Sequence, residues 1–267
     1  MFYNHLAIKQ NGKLHSQQHK AIIVIGLIQA LLGAGVNLNF SSSTSQEELQ
    51  QQLQGMSSQE AMAYAIGIIT ASLVVSGLVM FYKIFVGNII QNGCMGYLTK
   101  SVHEQNPTIG EAFSGFKNYS TVLSTTFLRD LYIFLWSLLF VIPGIVKSYS
   151  YSMVDFIKAE NPSLPANKAI EMSKIMTDGY KGNLFYLDLS FIGWNLLSVL
   201  TFGILSILFV NPYYLCSKAY AYEQLKAIAI SSGKLSQYDF NDFSDYSNGI
   251  NDSKNNDAGG NPYSGMF

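Results

Sequence analysis

From Leu131 to Ile142 the chain is almost wholly apolar, and it then meets Pro143-Gly144. Beyond that pair come Lys147, Lys158, Lys168, Lys174 and Lys181 before the next apolar stretch. The apolar block opens near Val122, which makes it long enough to cross a hydrocarbon core of about 30 Å. If the chain emerged at Pro143 and stayed on the far side as far as Lys181, all of these lysines would be translocated, against the retention of Lys and Arg on the cytoplasmic side. A tight external turn at Pro143-Gly144 removes the conflict, because Pro readily starts a helix and Gly relaxes the backbone. Residues 144–158 then return as a fourth span, and all but Lys147 of these lysines become cytoplasmic.

Charge placement orders the rest of the chain in the same way. Residues 21–40 form an apolar run of about 20 residues, longer than the apolar part of a signal peptide, so they read as a retained first span despite the preceding Lys9, Lys13 and Lys20. Residues 41–60 are rich in Ser and Gln, carry Glu47, Glu48 and Glu60 without a basic residue, and are expected outside. A second span, 61–85, closes on Phe81, Tyr82 and Lys83, an aromatic and basic pairing suited to the membrane interface. Thr108 and Glu111 resemble a capping box opening a short helix, whose Phe113 and Phe116 would rest on the interface. Residues 165–176 form a cytoplasmic amphipathic helix with Ala169, Ser173 and Met176 on one face. A fifth span covers 183–200, a turn follows at Thr201-Phe202-Gly203, and a sixth span covers 204–222.

The expected fold is therefore all-α: a polytopic membrane helical bundle of about six transmembrane helices over residues 1–230, with both termini cytoplasmic. Residues 231–267, rich in Asn, Asp, Ser and Gly, are expected as a disordered polar cytoplasmic tail, since they offer too little apolar area to fold alone. Charged residues make up 12% of the chain, against roughly 25% in soluble domains, so the lipid bilayer is the first partner to expect. A net charge of −1 gives no support for nucleic-acid binding. Cys94 and Cys216 lack disulfide or zinc spacing and read as small core residues. No His-Glu-x-x-His, Gly-x-Ser-x-Gly or phosphate-binding loop occurs, and no metal or cofactor is expected.

The string Leu135-Trp136-Ser137-Leu138-Leu139-Phe140-Val141-Ile142-Pro143-Gly144-Ile145, followed by Tyr149-Ser150-Tyr151-Ser152-Met153, is distinctive. With Asn161-Pro162, Ala169, Ser173, Gly179, Leu189-Ser190-Phe191-Ile192-Gly193-Trp194, Leu200-Thr201-Phe202-Gly203-Ile204 and Pro212-Tyr213, it resembles the bacterial membrane proteins catalogued as domain of unknown function 975. The similarity spans about residues 20–225. The turn at Pro143-Gly144 and the Ala169-x-x-x-Ser173 helix are more distantly similar to the membrane domain ahead of some bacterial glycerophosphodiester phosphodiesterases. The resemblance implies a bacterial cytoplasmic membrane and supports the fourth span, and it assigns no activity to any residue.

Ionisable residues within spans are costly and are usually kept for a reason. Arg129 and Asp130 lie about two turns into the third block, and Asp188 lies within the fifth span. Lys147, Tyr151 and Asp155, spaced i, i+4 and i+8, would share one face of the fourth span. These six residues are the candidate intramembrane polar site, either lining a polar cavity or merely anchoring the helix, and Pro143 and Gly144 set the topology. The expected function is a non-enzymatic bundle that binds or moves a small or lipid-like molecule or assists another membrane protein. The alternative is an intramembrane enzyme that uses Asp155 with Lys147 or Asp188.

Overall fold

The computed structural model describes residues 3–18, 21–32, 57–103, 107–201 and 203–240. Among these residues the structure is helical, with no strand. Helix α1, His5–Gln18, and α2, Ala21–Leu32, come first. The second half of the expected first span and most of the expected external loop, residues 33–56, lie outside the described residues, as do residues 241–267 of the expected tail.

Helix α3, Ser58–Tyr82, opens with a capping box: the Glu60 N–H donates to Ser57 Oγ at 3.4 Å, and the Ser57 N–H donates to Glu60 Oε2 at 2.8 Å. It runs without interruption through a π turn, Lys83–Gly87, into α4, Asn88–Val102. The result is one rod of 45 residues. At 1.5 Å per residue its length is about 68 Å, more than twice a hydrocarbon core of about 30 Å. Burial divides the rod: no residue of α3 is buried against the described chain, whereas α4 buries eleven of its residues, among them Ile89, Cys94 and Leu98.

Residues 107–111 form the expected capping box, with Thr108 and Glu111 as its two members. The helix it opens, Ile109–Asn118, is of the tighter 3-10 kind and lies against α4. A Cβ on Gly93 would strike the Ala112 carbonyl, and one on Gly115 would strike the Ile89 carbonyl, so the two backbones touch. Phe113 and Phe116 stay exposed. Helix α5, Tyr119–Leu139, continues from there.

The turn expected at Pro143-Gly144 falls earlier. Phe140 alone is extended, with φ −157° and ψ 144°, and α6, Val141–Ser150, begins directly after it. Pro143 sits in the first turn of α6, where its missing N–H leaves no helical bond unmade. Gly144 has no room for a Cβ against Ser137 and so lets α6 pack closely on α5.

The fourth span expected over 144–158 is not one helix. Helix α6 stops at Ser150, residues 151–153 turn, and α7 spans Val154–Glu160. Helix α8, Ala166–Thr177, explains the break. Ser173 Oγ donates to the Ser150 carbonyl at 2.8 Å and accepts the Met153 N–H at 3.3 Å, so the backbone groups freed by the turn are bonded from outside the segment. Ala169, Ser173 and Met176, the face expected from the sequence, are all buried.

Helix α9, Lys181–Leu200, matches the expected fifth span and closes on Gly203, whose φ of +83° suits glycine and whose N–H donates to the Ser198 carbonyl at 2.9 Å. A π turn, Ser206–Val210, leads into α10, Asn211–Ser231. The expected domain boundary at residue 230 falls inside α10, and the chain is helical again at Gln237–Asp239. Phe240 is 3% exposed, and Lys226 Nζ lies 4.8 Å from its ring centre.

The buried core joins α1, α2, α4, α7, α8, α10 and one face of α9, which supplies Leu184, Leu187 and Phe191, with Phe156 stacked on Tyr222 at 5.0 Å and both cysteines inside it. Exposed apolar side chains gather instead on α3, on the α5–α6 hairpin and on α9. Three helical runs, Ser58–Val102, Ile109–Leu139 and Lys181–Leu200, are long and apolar enough to cross a membrane, which points to membrane association.

Candidate functional site

Asn88, Gln91 and Asn92 recur at helical spacing and so form a polar stripe on one face of α4. Against it stand Arg129 and Asp130 of α5 and Asp155 of α7. The Arg129 guanidinium forks between the two carboxylates: Nε and Nη2 each donate to Asp130 Oδ1 at 2.9 Å, and Nη1 donates to Asp155 Oδ1. Gln91 Nε2 donates to Asp155 Oδ2 at 3.0 Å, Asn88 Nδ2 to Asp130 Oδ2 at 2.9 Å, and Asn92 Nδ2 to the Asp155 carbonyl at 2.9 Å. Each of the four carboxylate oxygens therefore accepts from a side chain. Left unpaired, the buried Arg129 and Asp155 would cost several kcal/mol, so the network stabilises the junction of α4, α5 and α7 by satisfying them, with the partly exposed Asp130 as a further partner.

Asp188 belongs to a second network. It accepts from the Tyr149 hydroxyl at 3.0 Å, the Tyr214 hydroxyl at 3.1 Å and Lys218 Nζ at 3.1 Å, tying α9 to α6 and α10. Lys147 joins neither group. Its Nζ lies 4.7 Å from the Trp136 ring centre, a cation–π contact across the α5–α6 hairpin.

The stripe expected from Lys147, Tyr151 and Asp155 does not form, because the turn at 151–153 resets the helical phase between α6 and α7. Tyr151 is buried, with its ring 6.4 Å from that of Tyr132 and Lys174 Nζ 5.7 Å from its centre. Of the six sequence candidates, then, the fold brings together Arg129, Asp130 and Asp155 and leaves Asp188, Tyr151 and Lys147 apart.

An open polar space lies on the other side of α4's polar stripe. A half-open cavity of about 210 Å³ is bounded by α4, the 3-10 helix, Val122 of α5, Ala159 and Pro162. Its polar lining is Asn92, Lys100, Glu111, Ser114, Lys117 and Asn118. Lys100 pairs with Glu111 at 2.5 Å, and Lys117 makes no ion pair among the described residues. Asn92 is shared, lining the cavity while holding the Asp155 carbonyl. Sequence reasoning missed this group, since its members come from three separated segments. The one signal was the capping box that placed Glu111, Ser114 and Lys117 on a single short helix.

No curated protein matches the chain, and no solved structure does. Residues 138–229 match the family described as Protein of unknown function (DUF975), which is the family that the string around Pro143-Gly144 resembles.

Proposed function

We propose that the chain is a non-enzymatic membrane bundle that binds or moves a small or lipid-like molecule. Its six apolar segments enter the membrane as three hairpins, and both ends stay on the cytoplasmic side of a bacterial membrane. The positive-inside rule and the family resemblance support that orientation. The observation that carries the binding reading is the position of the polar cavity beside the charged network and outside it. Asp130 and Asp155 have every carboxylate oxygen engaged, which disfavours their use as a general base or nucleophile, whereas the cavity is open and mixes polar side chains with apolar walls. At about 210 Å³ it falls below the roughly 300 Å³ at which drug-sized sites begin, so it suits a small polar molecule or the polar end of a larger one.

Native mass spectrometry of the full chain in lipid nanodiscs tests the reading. A bound molecule should be retained by the parent protein and lost from Gly96→Leu, which fills the cavity from its α4 wall. A parent protein that carries no such molecule, from cells or after incubation with lipid extract, would overturn it.

A further inference from the structure

The Tyr119 hydroxyl donates to the Phe85 carbonyl at 3.1 Å and Asn88 Nδ2 to Asp130, so α5 crosses the rod at an angle, and the Asn88–Asp130 pair marks one point of that crossing. From it the continuous rod extends to Ser58, 30 residues away, or about 45 Å. Helix α5 reaches at most about 14 Å beyond the pair, to Leu139, before the chain doubles back at Phe140. Helix α6 has ten residues, about 15 Å, before it ends at Ser150 against α8. If α3 crosses a hydrocarbon core of about 30 Å, the α5–α6 hairpin is too short to reach the far side with it.

The surface of α5 agrees with that length. Between Tyr119 and Asp130 the exposed positions are Tyr119, Ser120, Thr121, Ser124 and Phe127, a mixture of hydroxyls and aromatic rings. Past Asp130 they become Phe134, Leu135, Leu138 and Leu139, and the tip, Phe140, Val141 and Ile142, is 68–75% exposed. Trp136 and Lys147 sit part-way up the hairpin as a pair with apolar bodies and a polar end, a composition suited to the headgroup boundary. The irregular backbone at 151–153 is buried in protein, the condition under which non-helical chain is tolerated near lipid.

We infer that the α5–α6 hairpin is a re-entrant wedge that inserts its Phe140-Val141-Ile142 tip among the acyl chains of the cytoplasmic leaflet and returns without crossing. This inference rests on the orientation proposed above and keeps both ends of the hairpin on the side that reading gives them. It also retains every lysine from Lys147 to Lys181 in the cytoplasm.

Cysteine accessibility in intact cells and inside-out vesicles tests the wedge, using the full chain with its two buried native cysteines in place. Gln59→Cys should react with an impermeant maleimide from outside, Glu171→Cys only from inside, and Phe140→Cys or Ile142→Cys from neither side. In a chain carrying Trp136→Phe and Trp194→Phe, the fluorescence of Ile142→Trp should be quenched most by lipids brominated deep in the acyl chain. Labelling of Phe140→Cys from outside at a rate within about twofold of Gln59→Cys would overturn the wedge and leave the six-crossing orientation standing. Labelling of Gln59→Cys from the inside alone would remove the orientation on which the wedge rests. Because both tip side chains are exposed, their replacement leaves the packed core untouched, and the tryptophan measurement reads depth independently of thiol reactivity.

Discussion

The two halves of the 45-residue rod form one continuous helix and differ in composition and in what they bury. Helix α3 is apolar over most of its surface and buries nothing against the described chain, while α4 carries Asn88, Gln91, Asn92, Gly93, Gly96, Thr99 and Ser101 between its apolar residues and is enclosed almost throughout. What separates them is the solution each finds for polar groups. In α3 the stray hydroxyls are bonded within the helix, as when Thr70 Oγ1 donates to the Ile66 carbonyl at 2.7 Å. In α4 the amides reach across to carboxylates on other helices, so polarity there binds elements together. A helix suited to lipid is self-sufficient, and a helix suited to a protein core is not.

The sharpest way to break this contrast is to remove one member of the α4–α5–α7 network. Asp155→Leu leaves the Arg129 guanidinium buried with half of its partners gone, and a loss of about 3–5 kcal/mol is expected from breaking a buried pair. Thermal unfolding of the purified protein in detergent would measure it, and Arg129→Met added to Asp155→Leu should recover much of the loss. If the single substitution unfolds no earlier than the parent, the network is not what holds the three helices together.

Ser173→Ala should cost about 1–3 kcal/mol, because it withdraws an acceptor from the buried Met153 N–H and a donor from the Ser150 carbonyl. Hydrogen exchange at Met153 would rise in the same variant, which separates this local cause from general loosening. A matched pair of glycine substitutions then compares the two halves of the rod directly. Gly93→Ala drives a methyl into the Ala112 carbonyl and should cost about 1–3 kcal/mol, whereas Gly77→Ala meets nothing within 4 Å and should change stability by less than about 0.5 kcal/mol. Equal effects at the two positions would erase the distinction drawn between α3 and α4.

The smallest effect belongs to the C-terminal strap. The Ser236 N–H and then Lys168 hold the Asp239 carboxyl below the usual carboxylate range. A depressed folded-state pKa contributes stability above the unfolded value of about 3.9 and loses it as pH falls through the lower folded value. Asp239→Asn should therefore lower the melting temperature slightly at pH 7 and not at all at pH values below the folded pKa. The pair is partly exposed, so less than about 1 kcal/mol is at stake.

Much of the architecture was legible because its signals are local. The capping box at Thr108 and Glu111, the buried face of Ala169, Ser173 and Met176, the fifth apolar helix and the turn closing at Gly203 all depend on residues within a few positions of each other. What was not legible depends on distance along the chain. The break at 151–153 is enforced by Ser173, twenty residues later, and nothing within Ser148 to Asp155 announces it. Pro143 and Gly144 were recognised as the pair that starts a new helix, but the reversal itself rests on the extended conformation of Phe140, a residue with no turn preference of its own. Arg129, Asp130 and Asp155 could be nominated as charges in apolar surroundings. Their partners Asn88, Gln91 and Asn92 could not, since neutral amides in a helix raise no alarm until the opposite helix is known.

The π turn at Lys83–Gly87 sets a rotational phase. A π turn is in effect one residue more than an α-helix needs, and each residue of an α-helix turns the chain by about 100°. It therefore sets the face that α3 presents to its surroundings against the Asn88-Gln91-Asn92 stripe that α4 presents to Arg129 and Asp155. Because the rod is otherwise unbroken, any rotation of α3 about its axis would turn the Asn88-Gln91-Asn92 stripe with it.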